Sequence, residues 1–110
     1  MKFDDYQRES AKTLINAEDS FKVLVRTVLG LNGEAGEVAE KLKKILRDKD
    51  GKLSAEDKAA MADELGDILW YMARLADLTG YNLSQVAQMN LDKVMSRKAR
   101  GKISGSGDKR

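Results

Sequence analysis

The chain has no cysteine, no histidine and no proline. Without cysteine it can hold neither a disulfide nor a thiolate site. Without histidine as well, serine–histidine and cysteine–histidine nucleophilic catalysis is excluded, and almost nothing remains with which to bind zinc. A metal bound here would sit among oxygens, which suits magnesium, manganese or calcium. No apolar run is long enough to span a bilayer, and the charged start Met1–Asp5 is unlike a signal peptide. The expectation is a cytoplasmic protein with no membrane partner. A formal charge of +2 is too small to argue for nucleic acid.

What is present is helix-forming. Ala, Leu, Glu and Lys abound, and they lose little freedom in a helix. Four segments follow. The first is expected from about Asp4 to Glu18, with Phe3, Tyr6, Ser10, Leu14 and Ala17 near one face and a loop around Asn16–Ser20. The second runs from about Phe21 to Leu46. In it Leu24, Val28, Leu31, Ala35, Val38, Leu42 and Ile45 alternate steps of four and three, a helix-packing seam. A turn at Arg47–Gly51 ends it.

The third segment opens at Ser54, with Glu56 and Asp57 in its first turn. Met61, Leu65, Ile68, Met72 and Leu75 repeat the four–three rhythm until Gly80. The fourth begins at Asn82, three residues before Gln85, with capping-box spacing. Leu83, Ala87, Asn90 and Val94 form its expected inner stripe. The fold class is therefore all-α and four-helix bundle-like. One domain spans residues 1–100, and 101–110 form a basic tail without period, expected to be flexible. Residues 91–110 carry seven Lys/Arg against two Asp, which leaves the body acidic. So small a chain with this many apolar seam positions is expected to complete its core as a homodimer or homotetramer.

The carboxylates are placed with a pattern. Glu34 and Glu37 each precede a seam position of the second helix, and Glu64 and Asp67 do the same on the third. Antiparallel packing along these seams would bring all four together. Clustered carboxylates repel, so the arrangement calls for a hard divalent cation, magnesium foremost with manganese as a substitute. Gly30, Gly33, Gly36 and Gly66 lie inside these helices, each costing roughly 1 kcal/mol against alanine. Close approach of another backbone or of a substrate would explain them, and so would a helix break near Gly30–Gly33. A single E-x-x-E pair is ordinarily solvated surface, with Lys41 and Lys44 at hand as salt-bridge partners. Two pairs placed alike are less easily dismissed.

On the fourth helix Asn90, Lys93 and Arg97 lie three and four apart, on one face suited to phosphates, and Arg100 extends it. Trp70 and Tyr71 could stack on a base, but packing in a core or subunit interface is the simpler role. A non-catalytic oligomeric helical module would account for the seams, though not for the paired acids with their glycines.

The pattern Glu34-x-x-Glu37, 26 residues, Glu64-x-x-Asp67 resembles the signature of the MazG-type nucleotide pyrophosphohydrolases, relatives of the dimeric dUTPases. The words Leu29–Glu37 and Asp63–Tyr71 are similar to that family too, as is the Tyr6–Gln7 pair, and the likeness covers about residues 3–100. The resemblance implies that the four acids are catalytic and bind magnesium. It further implies that Asn90, Lys93 and Arg97 approach the phosphates, and that a nucleoside triphosphate is cut to monophosphate and pyrophosphate. A dUTPase or dCTPase preference stays open.

Overall fold

A computed structural model describes residues 1–15 and 19–110. Four helices make it up: α1 (Phe3–Ala11), α2 (Ser20–Lys49), α3 (Ala55–Thr79) and α4 (Leu83–Ala99). The expected all-α class holds, with no strand among the described residues. No helix is long and apolar enough to cross a membrane.

The stop and start signals act as their chemistry requires. Asp19 caps α2 by accepting from the Lys22 amide at 3.1 Å. Ser54 and Asp57 cap α3 reciprocally, at 3.1 and 3.0 Å. Left-handed residues end α2 at Asp50 (φ 52°) and Gly51 (φ 76°), and α3 at Gly80 (φ 81°). Gln85 accepts from the Asn82 amide at the start of α4.

Four expectations need correction, the last of them on α4. Helix α1 ends at Ala11, so Leu14 lies beyond it, and Ala17 falls outside the described residues. Past Ala11 the Thr13 hydroxyl donates to the Ser10 carbonyl and accepts from the Trp70 indole, both at 2.7 Å, which turns the chain toward α3. Helix α2 runs unbroken through Gly30–Gly33, so no hinge lies there.

The third correction concerns the seams. Buried or half-buried on α2 are Val23, Leu24, Thr27, Gly30, Leu31, Glu34, Val38, Lys41 and Ile45. On α3 Asp57, Met61, Glu64, Ile68, Tyr71 and Leu75 are so along one line, and Ala60, Leu69, Trp70, Ala73, Arg74 and Ala76 beside it. Every second apolar position of the expected stripe has given way to the residue before it. Val28 (47% exposed), Leu42 (49%), Leu65 (59%) and Met72 (39%) face outward instead. Leu24, Leu31, Val38 and Ile45 serve both arrangements, and a partial turn of the helix about its axis exchanges Val28, Ala35 and Leu42 for Thr27, Glu34 and Lys41.

Helix α3 packs on α2 along one side and on α1 and the start of α4 along another. Ala73, Ala76 and Leu83 form the buried cluster there, with Tyr6 and Leu69 against it. A polar network ties this junction. Gln7 donates to Asp77 (2.7 Å) and the Tyr81 carbonyl (2.9 Å), and accepts from the Leu83 amide (2.7 Å). Arg74, 2% exposed, donates to the Gln7 carbonyl and the Ser10 hydroxyl and pairs with Asp77 at 2.9 Å. Beyond its first turn α4 stands clear, and it makes no contact with α2. The expected inner stripe of α4 fails for that reason: Leu83 is buried and Val94 half-buried, but Ala87 and Asn90 are exposed.

Residues 101–110 turn back along α4. Asp108 accepts from Arg97 through its carbonyl, and Arg110 donates to the Lys102, Ile103 and Gly107 carbonyls.

Candidate metal centre

The hairpin of α2 and α3 is what assembles the acids. Glu34 and Glu64 sit on the packed seams rather than beside them, and Asp67 lies one turn after Glu64. Carboxylate oxygens of Glu34, Glu64 and Asp67 all fall within 4.8 Å of one another. Glu37 is exposed, one turn along α2, and is not part of that trio.

The trio carries the electrostatic signature of crowded like charge. The Glu34 carboxyl is pushed above its ordinary value, first by burial, then by its hydrogen bond with Glu64 and by the charges of Asp67, Glu64 and Glu37. The counter-charge in reach is Lys41, whose Nζ lies 3.5 Å from Glu64 Oε1. That separation is longer than a good charge-assisted hydrogen bond, so the ammonium neutralises the site only loosely.

A pH dependence follows. With its folded pKa raised, Glu34 binds more protons in the folded than in the unfolded state, in a window that starts at the ordinary value near 4.5. The metal-free protein therefore loses stability as pH rises through that window. Glu34→Gln is expected to remove this slope in urea melts run with chelator from about pH 4 to about pH 7. An unchanged slope would place the repulsion elsewhere.

The donor set fits a hard divalent ion. Three carboxylates within 4.8 Å of one another offer oxygens only, the donors that such an ion takes.

The glycines around the acids divide into two kinds. A Cβ on Gly30 would lie 2.2 Å from the Tyr71 ring, so Gly30 is there to admit that ring. Close approach was the expectation, but the neighbour is a side chain and not a backbone. At Gly33, Gly36 and Gly66 an added Cβ would meet nothing within 4 Å. Trp70 and Tyr71 pack edge to face at 5.0 Å, in keeping with a packing role for both. They also line a cavity of about 160 Å³ with Leu14, Ile15, Val23 and Thr27.

The residues expected at the phosphates are not brought to the acids within one chain. Asn90 and Lys93 share an open cavity of about 370 Å³ with Tyr81, Val86 and Met89. Arg97 is buried beneath the turned-back tail, its guanidinium on the Asp108 carbonyl. Arg100 likewise donates to the Arg110 carbonyl and to Ser96. Two features escaped the sequence reading. Lys41, taken as an ordinary salt-bridge partner, stands on the seam beside Glu64. Its spacing of seven from Glu34 was the available signal. At the Gln7–Arg74 junction only Gln7 had one, in the Tyr6–Gln7 pair of the family resemblance, because a basic residue such as Arg74 amid an apolar helix reads as surface.

Residues 24–101 match the MazG nucleotide pyrophosphohydrolase domain. The chain is also similar to the Gene 37 protein of Mycobacterium phage L5, 48% identical over 114 residues and covering 100% of both proteins. No solved structure matches it.

Proposed function

The chain belongs to the MazG nucleotide pyrophosphohydrolase family, and from that premise we propose that it hydrolyses a nucleoside triphosphate, (d)NTP plus water giving (d)NMP plus pyrophosphate, as a nucleotide-pool house-cleaning enzyme. The observation that carries the reading is the convergence of Glu34, Glu64 and Asp67 at one point of the α2–α3 groove. These three would hold a divalent ion, magnesium by preference, with Glu37 one turn away as a fourth carboxylate. When bound, the ion supplies charge to the phosphates and makes its water more acidic. One of the carboxylates takes the proton that the attacking water gives up. No covalent intermediate is required, which agrees with the lack of cysteine and histidine. Seven residues is two helical turns, so Thr27, Glu34 and Lys41 share one stripe of α2, while Asp57, Glu64 and Tyr71 share one of α3. The aromatic cavity thus opens onto the same groove about 10 Å from the acids, where the base would lie.

The reading includes a homodimer or homotetramer. The chain exposes 8237 Å², against about 6,100 Å² for a compact monomer of its mass. Its radius of gyration is 17.0 Å, where about 13 Å is usual for this length. Val28, Leu42, Leu65 and Met72 form an outward apolar stripe on the hairpin, which a second hairpin would cover. Asn90 and Lys93, if they meet the phosphates, reach them from the second copy.

The test is product analysis on a panel of triphosphates with magnesium and no added pyrophosphatase. Monophosphate and pyrophosphate are expected, and diphosphate with orthophosphate would overturn the mechanism. The same preparation should sediment as a dimer or tetramer. A stable monomer at micromolar concentration would remove the assembly from the reading.

A further inference from the structure

Beyond the acids, along the same groove, lies a second cavity of about 230 Å³ lined by Lys41, Lys44, Ile45, Asp48, Lys49, Asp57 and Ala60. Its charges are unevenly committed. Lys49 is held by both oxygens of Asp57, at 2.8 and 2.9 Å. Asp48 is held by Arg47 through two hydrogen bonds, at 2.7 and 2.9 Å. What remains is Lys44, which closes no ion pair among the described residues, and Lys41, loosely set 3.5 Å from Glu64. The hollow that adjoins the carboxylate trio thus holds two ammonium groups without a close ion pair, Lys44 lying only within electrostatic reach of Glu40 and Asp48.

We propose that this cavity is a diphosphate site, in which Lys41 and Lys44 take the distal phosphates of the substrate or the pyrophosphate product. The inference rests on the metal reading above and assigns the cations that the single chain itself places beside the acids. Lys41 and a divalent ion compete for one carboxylate. An ion on Glu64 takes the oxygen that Lys41 leans on, and the displaced ammonium has the open cavity before it. The cavity has room for about eight waters at ~30 Å³ each, which an anion with its oxygens can replace. Lysine suits the task, as a mobile point charge on a flexible stem.

The order along the groove also sets a direction. Aromatic cavity, carboxylates and lysine cavity follow one another at intervals of two helical turns, about 10 Å each. A nucleoside triphosphate laid in that order has its α phosphorus between the two cavities, at the acids. Attack there leaves the diphosphate among the lysines.

The test is calorimetry on the full chain, with magnesium alone and then with inorganic pyrophosphate in magnesium. The proteins are wild type, Lys41→Met, Lys44→Met and the double variant, with Lys93→Ala for comparison. Lys41→Met is expected to bind magnesium as tightly as wild type or tighter, because the competitor for Glu64 is gone. The double variant is expected to bind pyrophosphate at least about tenfold more weakly, since charge-assisted contacts are lost. Orthophosphate, which spans less of the cavity, should be affected less. Lys44 is exposed and Lys41 half-buried on the seam, so melting curves on both variants check that the fold is intact. The opposite signs for metal and pyrophosphate are not what a merely damaged fold would give. Unchanged pyrophosphate affinity in the double variant overturns the proposal, as does wild type failing to bind pyrophosphate. If triphosphates are cleaved in magnesium while the lysine variants bind pyrophosphate normally, the cavity fails and the proposed function stands. If pyrophosphate binding depends on the lysines but no triphosphate is cleaved, the site survives and the catalytic reading falls.

Discussion

Glu64→Gln is expected to lose at least about a hundredfold in turnover with magnesium, because the ligand lost supplies several kcal/mol of charge stabilisation. Glu34→Gln and Asp67→Asn should do the same, since all three carboxylates meet within 4.8 Å. None of these amides should unfold the chain. Replacing a carboxylate relieves the repulsion that raises Glu34, so the metal-free variants should melt no lower than wild type. The difference should appear on adding magnesium. An ion at a hundred times its Kd stabilises wild type by about 2.7 kcal/mol, a rise in Tm on the order of 10 °C for a domain of this size. That rise should vanish in the amide variants. Glu37→Gln should cost less, on the order of tenfold, since its carboxylate lies outside the trio. Full activity in Glu64→Gln, or a magnesium-induced rise that survives the substitution, would rule out the site.

The largest effect on stability is expected away from the acids, at Arg74. Its side chain is 2% exposed and joins α1 to α3 through the Gln7 carbonyl, the Ser10 hydroxyl and Asp77. It also lies over the Trp70 ring at 5.8 Å. Arg74→Ala takes the guanidinium from the Gln7 carbonyl and the Ser10 hydroxyl, leaving them the 3.3 Å bond that Ser10 donates to Gln7, and opens a cavity beside Ala73. The expected cost is about 2–4 kcal/mol, a large part of the 5–15 kcal/mol such a domain possesses. Arg74→Lys should recover little, since one ammonium cannot reach three partners arranged for a planar fork. Denaturant midpoints of the three proteins measure this. A loss under about 0.5 kcal/mol, the range of ordinary surface changes, would show that the junction is held by its apolar contacts alone.

Much of the fold was legible because its signals are local. Asn82, Ser54 with Asp57, Gly51 and Gly80 announce helix ends through hydrogen bonds and dihedral angles that depend on a few neighbouring residues. The four-residue echo Glu34–Glu37 against Glu64–Asp67 was visible for the same reason, as was its place on two facing helices. The end of α1 was overshot, since what stops it is Thr13 meeting Trp70, 57 residues away.

The seams mark the boundary between the two kinds of knowledge. From the order of residues alone, the chain was expected to make long helices with apolar stripes and, were two of them to pack antiparallel, to set acids near their line of contact. Which of two adjacent stripes turns inward was decided only in three dimensions. A partial rotation of each helix puts Glu34 and Glu64 into the contact and leaves Val28, Leu42, Leu65 and Met72 outside. Periodicity cannot fix that rotation when every second seam position serves both arrangements. The choice depends on what covers the other one, on the Tyr71 ring finding room over Gly30, and on α1 docking through Arg74. The same packing carried Asn90 and Lys93 away from the acids and set Lys41 beside them, because helix α4 is anchored only at its first turn.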